Sequence, residues 1–226
     1  MRWVPKILGE SLLSYAAAAA TRLALRRTST ATAPDDDEPE AVPVEDAFSL
    51  TTDLVVLYFG ARWCPQCTEF TRTLLLTFGA MKDLAHRPVN CELVLVSHDI
   101  CPNEFLAHMK DLGSACLAVP FSSRKIHKAS ERYKITSLPT LVVLDAATGA
   151  LVSANGREDV EWSRKKRSEG NDWHKGLVTS SRVDEVPKEL FGPAALLEYW
   201  SFLLEQFNEN DRVRAAELEA RASVFG

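Results

Sequence analysis

The run Leu54-Val55-Val56-Leu57, apolar and partly β-branched, predicts a buried strand, and it leads through Tyr58 and Phe59 into Trp63-Cys64-Pro65-Gln66-Cys67. Beyond the second cysteine Phe70, Leu74, Phe78, Met81 and Leu84 recur at helical spacing, which predicts a helix over 65–85. A C-x-x-C therefore sits where a strand turns into a helix. Pro65 suits the first helical position, where its missing N–H costs nothing. That puts the Cys64 sulfur at the helix N-terminus, among unpaired N–H groups and the positive end of the helix dipole. A thiol with a free pKa of about 8.5 can be lowered to about 7 or below in such a place. Cys67 lies one turn inside, within reach of a mixed disulfide on Cys64. This is the chemistry of dithiol–disulfide exchange.

The rest of the composition is consistent with that chemistry and removes some others. A chain of 226 residues can build one real core with appendages. A net charge of −5 gives no reason to expect nucleic acid or an anionic membrane as partner. No apolar run approaches the roughly 18–20 residues of a membrane span. Five cysteines at irregular spacing do not make a secreted disulfide framework, and a reducing compartment fits them better. A zinc site would need about four ligands, normally from a second close pair, which Cys91, Cys101 and Cys116 do not offer. Cys91 is expected to be buried and inert. Cys101 and Cys116 read as unreactive singles, Cys116 being the better candidate for a regulatory thiol.

Along the chain, residues 1–30 carry five arginines or lysines against Glu10 and end in Thr28-Ser29-Thr30, which by itself has the look of a mitochondrial transit peptide. Residues 31–46 switch to Asp and Glu with three prolines, a composition that predicts disorder. Further strands are predicted at 92–97 and 140–145, the latter turning through Ala146-Ala147-Thr148-Gly149 into a hairpin strand at 150–154. Helices are predicted from Pro102 to Gly113 and over 123–133, with Leu117-Ala118-Val119-Pro120-Phe121 as an extended connection. Residues 155–192 read as polar and irregular, and their Arg164-Lys165-Lys166-Arg167 run as a solvated segment, with a nuclear-localisation patch the weaker reading. Pro193 opens a helix with Leu196, Leu197, Trp200, Leu203, Leu204 and Phe207 on one face, expected to pack on the domain and to fray from Asn208. Strands alternating with helices predict an α/β fold with a mixed central sheet flanked by helices.

Trp63-Cys64-Pro65-Gln66-Cys67, Leu117-Ala118-Val119-Pro120-Phe121 and Ser137-Leu138-Pro139-Thr140-Leu141, with the spacing between them, resemble the tryparedoxin and nucleoredoxin branch of the thioredoxin superfamily. Val96-Ser97-His98-Asp99, Gly156-Arg157, Trp173-His174 and Tyr58 resemble further positions of that branch. Lys6-Ile7-Leu8-Gly9-Glu10 with Leu12 resembles its opening segment. Three positions depart from it: Gln66 where the tryparedoxin motif has proline, Arg72 in place of a helix proline, and Cys116 in place of a tryptophan.

The resemblance implies a thioredoxin-like fold with an added C-terminal helix. It divides the chain into 1–14 as part of the fold, 15–46 as a disordered low-complexity insertion, 47–178 as the domain and 179–226 as a helical extension. It implies a protein-disulfide reductase in which Cys64 attacks and Cys67 resolves. Trp63, Pro65, Leu138 and Pro139 would form the substrate surface. Pro139, which alone would read as a trans-proline opening a strand, becomes a cis-proline, and Leu138 before it offers backbone groups to an extended substrate. His98 and Asp99 are candidates for a proton relay to Cys67. No metal or organic cofactor is implied; the electron donor would be a low-molecular-weight dithiol or a reductase. The acceptors would be disulfide proteins such as peroxiredoxin-like ones, in peroxide detoxification or redox homeostasis. A monomer in the cytoplasm is expected, with mitochondrion or nucleus as alternatives. The competing function is a redox-switched binding module with little turnover.

Overall fold

The computed structural model describes residues 1–20, 38–163 and 192–224. The described elements are α1 (Val4–Ile7), β1 (Ser11–Ser14), β2 (Glu40–Pro43), α2 (Val44–Ala47), β3 (Leu54–Gly60) and α3 (Pro65–Lys82). They continue with β4 (Cys91–Ser97), α4 (Pro102–Leu112), β5 (Cys116–Ala118), α5 (Arg124–Arg132), β6 (Thr140–Asp145), β7 (Leu151–Ser153), α6 (Gly156–Ser163) and α7 (Pro193–Val224). One mixed sheet runs in the order β2-β1-β5-β4-β3-β6-β7. β3 lies parallel to β4, and β4 to β5, while β3 meets β6 antiparallel.

The central strands are apolar throughout because both faces of the sheet are covered. Strand β3 splits its side chains by period two. Leu54, Val56 and Tyr58 enter one core beneath α3, α4 and α7, and Val55, Leu57 and Phe59 enter the other beneath α1, α2 and α5. All seven β3 residues are buried. At roughly 1.5–3 kcal/mol for each large side chain taken out of water, this strand and its two parallel or antiparallel neighbours are the main source of stability. Helix α3 lays Phe70, Leu74, Phe78 and Met81 on the first core, as its spacing predicts. Helix α7 buries Leu196, Leu197, Tyr199 and Trp200 there too, with the Trp200 ring 6.4 Å from Phe78.

Four expectations change. The insertion expected to be structureless over 15–46 is ordered at both described ends: residues 15–20 are helical, and Glu40–Pro43 pair with Ser11–Ser14 as an edge strand. An edge strand needs only backbone partners, so polar residues and a proline suffice, and low hydrophobicity is a poor guide there. Leu117 and Ala118 belong to a sheet strand rather than a free connection, between β1 and β4. Residues 156–163, read as irregular, form helix α6; its short length and single apolar anchor, Val160, hide it from a periodicity argument. The C-terminal helix continues past Asn208 to Val224. Residues 21–37, the basic run 164–167 and Trp173-His174 lie outside the described residues.

The N-terminal segment is packed into the domain. Trp3 Nε1 donates to Ala146 O at 2.8 Å, and its ring lies against Gly149 so closely that a side chain there has no room. Gly149 also has φ +72°, the left-handed conformation that the hairpin turn requires.

Candidate active site

Helix α3 begins where β3 ends at the edge of the second core, and Cys64 is its N-cap residue. The Cys64 sulfur accepts the Cys67 backbone N–H at 3.4 Å, so it meets one of the unpaired donors of the first turn. Cys64 is 8% exposed and Cys67 1%. Both are buried, Cys64 less completely than Cys67. Both thiols are unbonded. Across from them the Leu138–Pro139 peptide bond is cis, and Leu138 O lies 3.9 Å from the Cys64 sulfur. Leu138 packs on the small cluster of Ala61, Cys64 and Cys67. Trp63 is 54% exposed beside the pair, pinned by its Nε1–H to His98 O at 3.0 Å. Pro65 is exposed at the first helical position. These residues, brought together from β3–α3, β4–α4 and the loop before β6, form one surface around the Cys64 sulfur.

Burial first, and then its hydrogen bond with Cys64, push the Cys67 thiol up to about 12. Cys67 is thus a thiol at neutral pH. Behind it Tyr58 donates to Cys67 O at 3.2 Å, so the Thr71 hydroxyl, 2.9 Å from Tyr58 Oη, is the donor in that second bond. Burial raises the Tyr58 phenol far above its ordinary value, which leaves it a donor. Arg157 lies with its guanidinium 5.9 Å from the Phe70 ring centre and bonds Glu161 at 2.8 Å. Its charge is favoured first by Glu161 and also by a thiolate on Cys67. Arg157 is delivered by Gly156, which packs on the strand that follows Pro139: a Cβ at Gly156 would stand 2.8 Å from Leu141 O.

Asp99 is not placed as a relay. Its carboxylate accepts from Arg62 N (2.6 Å), Ser97 Oγ (2.7 Å) and His108 Nδ1 (2.9 Å). Burial pushes this carboxyl up, but the bonds from His108, Ser97 and Arg62 outweigh it and hold the carboxyl below its ordinary value. Asp99 so anchors the turn two residues before Cys64. His98 gives its Nε2–H to Ser130 Oγ at 3.2 Å, since the Ser130 hydroxyl is itself committed to Ile126 O. Burial, then the neighbouring His127, lower the His98 imidazole. Neither group bonds Cys67, so the expected proton relay has no direct path here.

His108, Arg62 and Thr71 carry no mark in the sequence reading, and Arg157 is marked there only as a position resembling the branch. His108 left a signal: it falls in the buried stripe Phe105, Met109 and Leu112 of α4, where an imidazole demands a partner. Among the other thiols, Cys116 is buried and Cys91, expected to be buried, is half-buried at the start of β4; loss of water around them pushes both up to about 12. Among the described residues no three His, Cys, Asp or Glu side chains gather as a metal site, and no helix is long and apolar enough to cross a membrane.

Residues 52–150 match the sequence model of a family described as thioredoxin-like. Tryparedoxin of Trypanosoma brucei brucei is 33% identical over 113 residues, which are 50% of this chain and 74% of that protein. Nucleoredoxin of Bos taurus is 31% identical over 153 residues, 67% of this chain, and the match spans only 33% of that longer protein. The solved structure of tryparedoxin I from Leishmania major superposes with a TM-score of 0.51 at 27% identity, covering 70% of this chain and 90% of that one. The chain belongs to the tryparedoxin and nucleoredoxin branch of the thioredoxin superfamily, whose members are thiol–disulfide oxidoreductases.

Proposed function

We propose that the protein reduces disulfides in other proteins through Cys64 and Cys67. The observation that carries this reading is the placing of the Cys64 sulfur: at a helix N-terminus, nearer the surface than Cys67, opposite Leu138 O, with the second thiol more deeply buried one turn behind it. The Cys64 thiolate attacks one sulfur of a substrate disulfide, that S–S bond breaks, and the departing thiolate takes a proton from solvent. Cys67 then loses its proton and attacks the Cys64 sulfur, releasing the second substrate thiolate and leaving the Cys64–Cys67 disulfide. Two electrons have passed to the substrate. An external dithiol, or a reductase, returns them. No resident metal or organic cofactor takes part. Trp63, Pro65, Leu138 and Pro139 form the surface on which an extended substrate segment lies. Peroxiredoxin-like proteins are the acceptors this reading favours, in a reducing compartment such as the cytoplasm.

The test is the reduction potential of the pair, followed by tryptophan fluorescence in defined thiol–disulfide buffers. A reversible two-electron transition between about −270 and −180 mV supports the reading, with the low end favouring a reductase. A Cys67→Ser variant should in addition accumulate a mixed disulfide on Cys64, visible by mass spectrometry. No transition, and no trapped adduct, would overturn the proposal.

A further inference from the structure

Helix α5 carries Arg124, Lys125, His127, Lys128 and Arg132 against one acid, Glu131, in a chain of net charge −5. Lys125 is committed: its Nζ donates to Pro5 O at 2.7 Å and Lys6 O at 3.1 Å, the free carbonyls at the end of α1. That contact sets α5 beside α1. A groove of ≈ 400 Å³ lies there, lined by Arg2, Lys6, Arg132 and Thr148 among others, with no carboxylate in its wall. Arg2, Lys6 and Arg132 are exposed, as are Arg124 and Lys128 on the outward face of α5. None of the five has a carboxylate partner among the described residues.

The inner side of the same helix reaches the active-site surface at Trp63. Ser130 holds His98, and His98 O holds Trp63. The groove wall at Ala147 and Thr148 follows the end of β6 that pairs with Leu54, whereas Cys64 follows the opposite end of β3, so groove and dithiol lie about 20 Å apart along the sheet, a span that roughly six to eight extended residues cover. The Arg132 guanidinium lies 5.7 Å from the Tyr133 ring centre, a contact that leaves its charge without a counter-ion; like charges on one face repel each other, and a surface without a partner gains by interspersing acids.

We propose that the α1–α5 face is the docking surface for an acidic segment of the disulfide-bearing partner. Carboxylates of that segment sit in the groove against Arg2, Lys6 and Arg132 and along Arg124 and Lys128, while the disulfide meets Cys64. This rests on the reductase reading. Opposite charge steers the encounter and raises its rate, and it selects among disulfides that Cys64 alone would treat alike. A nucleic acid is the weaker occupant, because its continuous phosphate charge would also meet the acidic remainder of the chain.

The experiment uses the full chain, recharged by dithiothreitol, and two peptide probes. Each contains the same disulfide followed by a six-residue Gly-Ser spacer; one then ends in four Asp or Glu residues, the other in four Ser. At about 50 mM salt the acidic probe should be reduced with a kcat/KM about fivefold or more above the neutral one, and the ratio should fall towards one at about 0.5 M. In a Lys128→Glu/Arg132→Glu double variant the ratio should be about one or below at low salt. Equal reduction of both probes by the natural protein overturns the proposal, and so does a preference that survives the double substitution. Fluorescence anisotropy of a cysteine-free acidic peptide reads the surface independently of turnover. Binding there with neither probe reduced upholds the docking face and sinks the reductase. Turnover without salt-sensitive binding does the reverse. Displacement of that peptide by a short oligouridine at lower concentration than by free acidic peptide assigns the face to nucleic acid instead.

Discussion

Replacing Asp159 by Asn should stabilise this protein at neutral pH. Asp159 is 3% exposed on α6 beneath the C-terminal helix, and its Oδ2 accepts from Trp200 Nε1 at 3.1 Å and Ser153 Oγ at 3.0 Å. Both donors are neutral, and among the described residues no cation bonds it. Burial therefore pushes the carboxyl up from 3.8 to about 6, although the Trp200 and Ser153 bonds pull the other way. A carboxyl raised on folding binds its proton more tightly in the native state. Its contribution is full below the unfolded pKa and is lost as pH rises through about 6. A shift of about two units corresponds to roughly 3 kcal/mol lost by pH 7.5. Asn has the same shape, and its oxygen can accept both donors without a charge. Urea unfolding followed by tryptophan fluorescence at several pH values checks this. Asp159→Asn should be about 2–3 kcal/mol more stable than the natural protein at pH 7.5, and the advantage should shrink steadily towards about pH 4. A variant less stable at pH 7.5, or a gap that does not change with pH, would refute the reasoning, because either means the charge is better solvated than the burial of Asp159 allows.

Three other outcomes can be measured. Cys67 is pushed up to about 12, so single-turnover resolution of a Cys64 mixed disulfide should accelerate about tenfold per pH unit between about pH 6 and 9; a flat profile would mean that a protein group takes the proton. Gly156→Ala should cost about 1–3 kcal/mol in chemical denaturation, since the new Cβ meets backbone atoms of Leu141 that cannot move aside as a side chain would. Asp99→Asn should cost about 1–3 kcal/mol near pH 7. The Asp99 carboxyl is held below its ordinary value, so its stabilisation is lost as pH falls through its folded pKa, and the difference between variant and natural protein should close in acid.

How much of this could be read from residues alone follows from what each element needs. Strands β3, β4 and β6 are buried on both faces, so they announce themselves as apolar runs, and α3 announces itself as a stripe. The N-cap position of Cys64 follows from Pro65. The cis bond at Pro139 was legible only through family resemblance, because nothing local distinguishes it from a proline opening a strand. Strand β2 and helix α6 carry no hydrophobic period to announce them: backbone pairing places β2, and hydrogen bonds to the polar Asp159 side chain tie α6 to its neighbours. Asp99 reads in the sequence as a relay candidate or a surface turn, because its neighbours there do not reveal that Arg62 and His108, from two other segments, bond its carboxylate.

The chain's first strand is not at the rim of its sheet. β1 lies between β2 and β5, with Leu13 opposite Ala118, so residues near the start close a sheet whose remaining strands come much later. A processing protease that removed the first 30 residues would take away β1 and Trp3, leave β2 without its strand partner, and leave β5 with a row of unpaired N–H and C=O groups. Such an open edge invites pairing with a strand from another copy, and with it aggregation or strand exchange. A fusion placed ahead of Met1, which is 41% exposed, leaves that closure intact, whereas a cut inside the acidic stretch separates the strand from the sheet it seals.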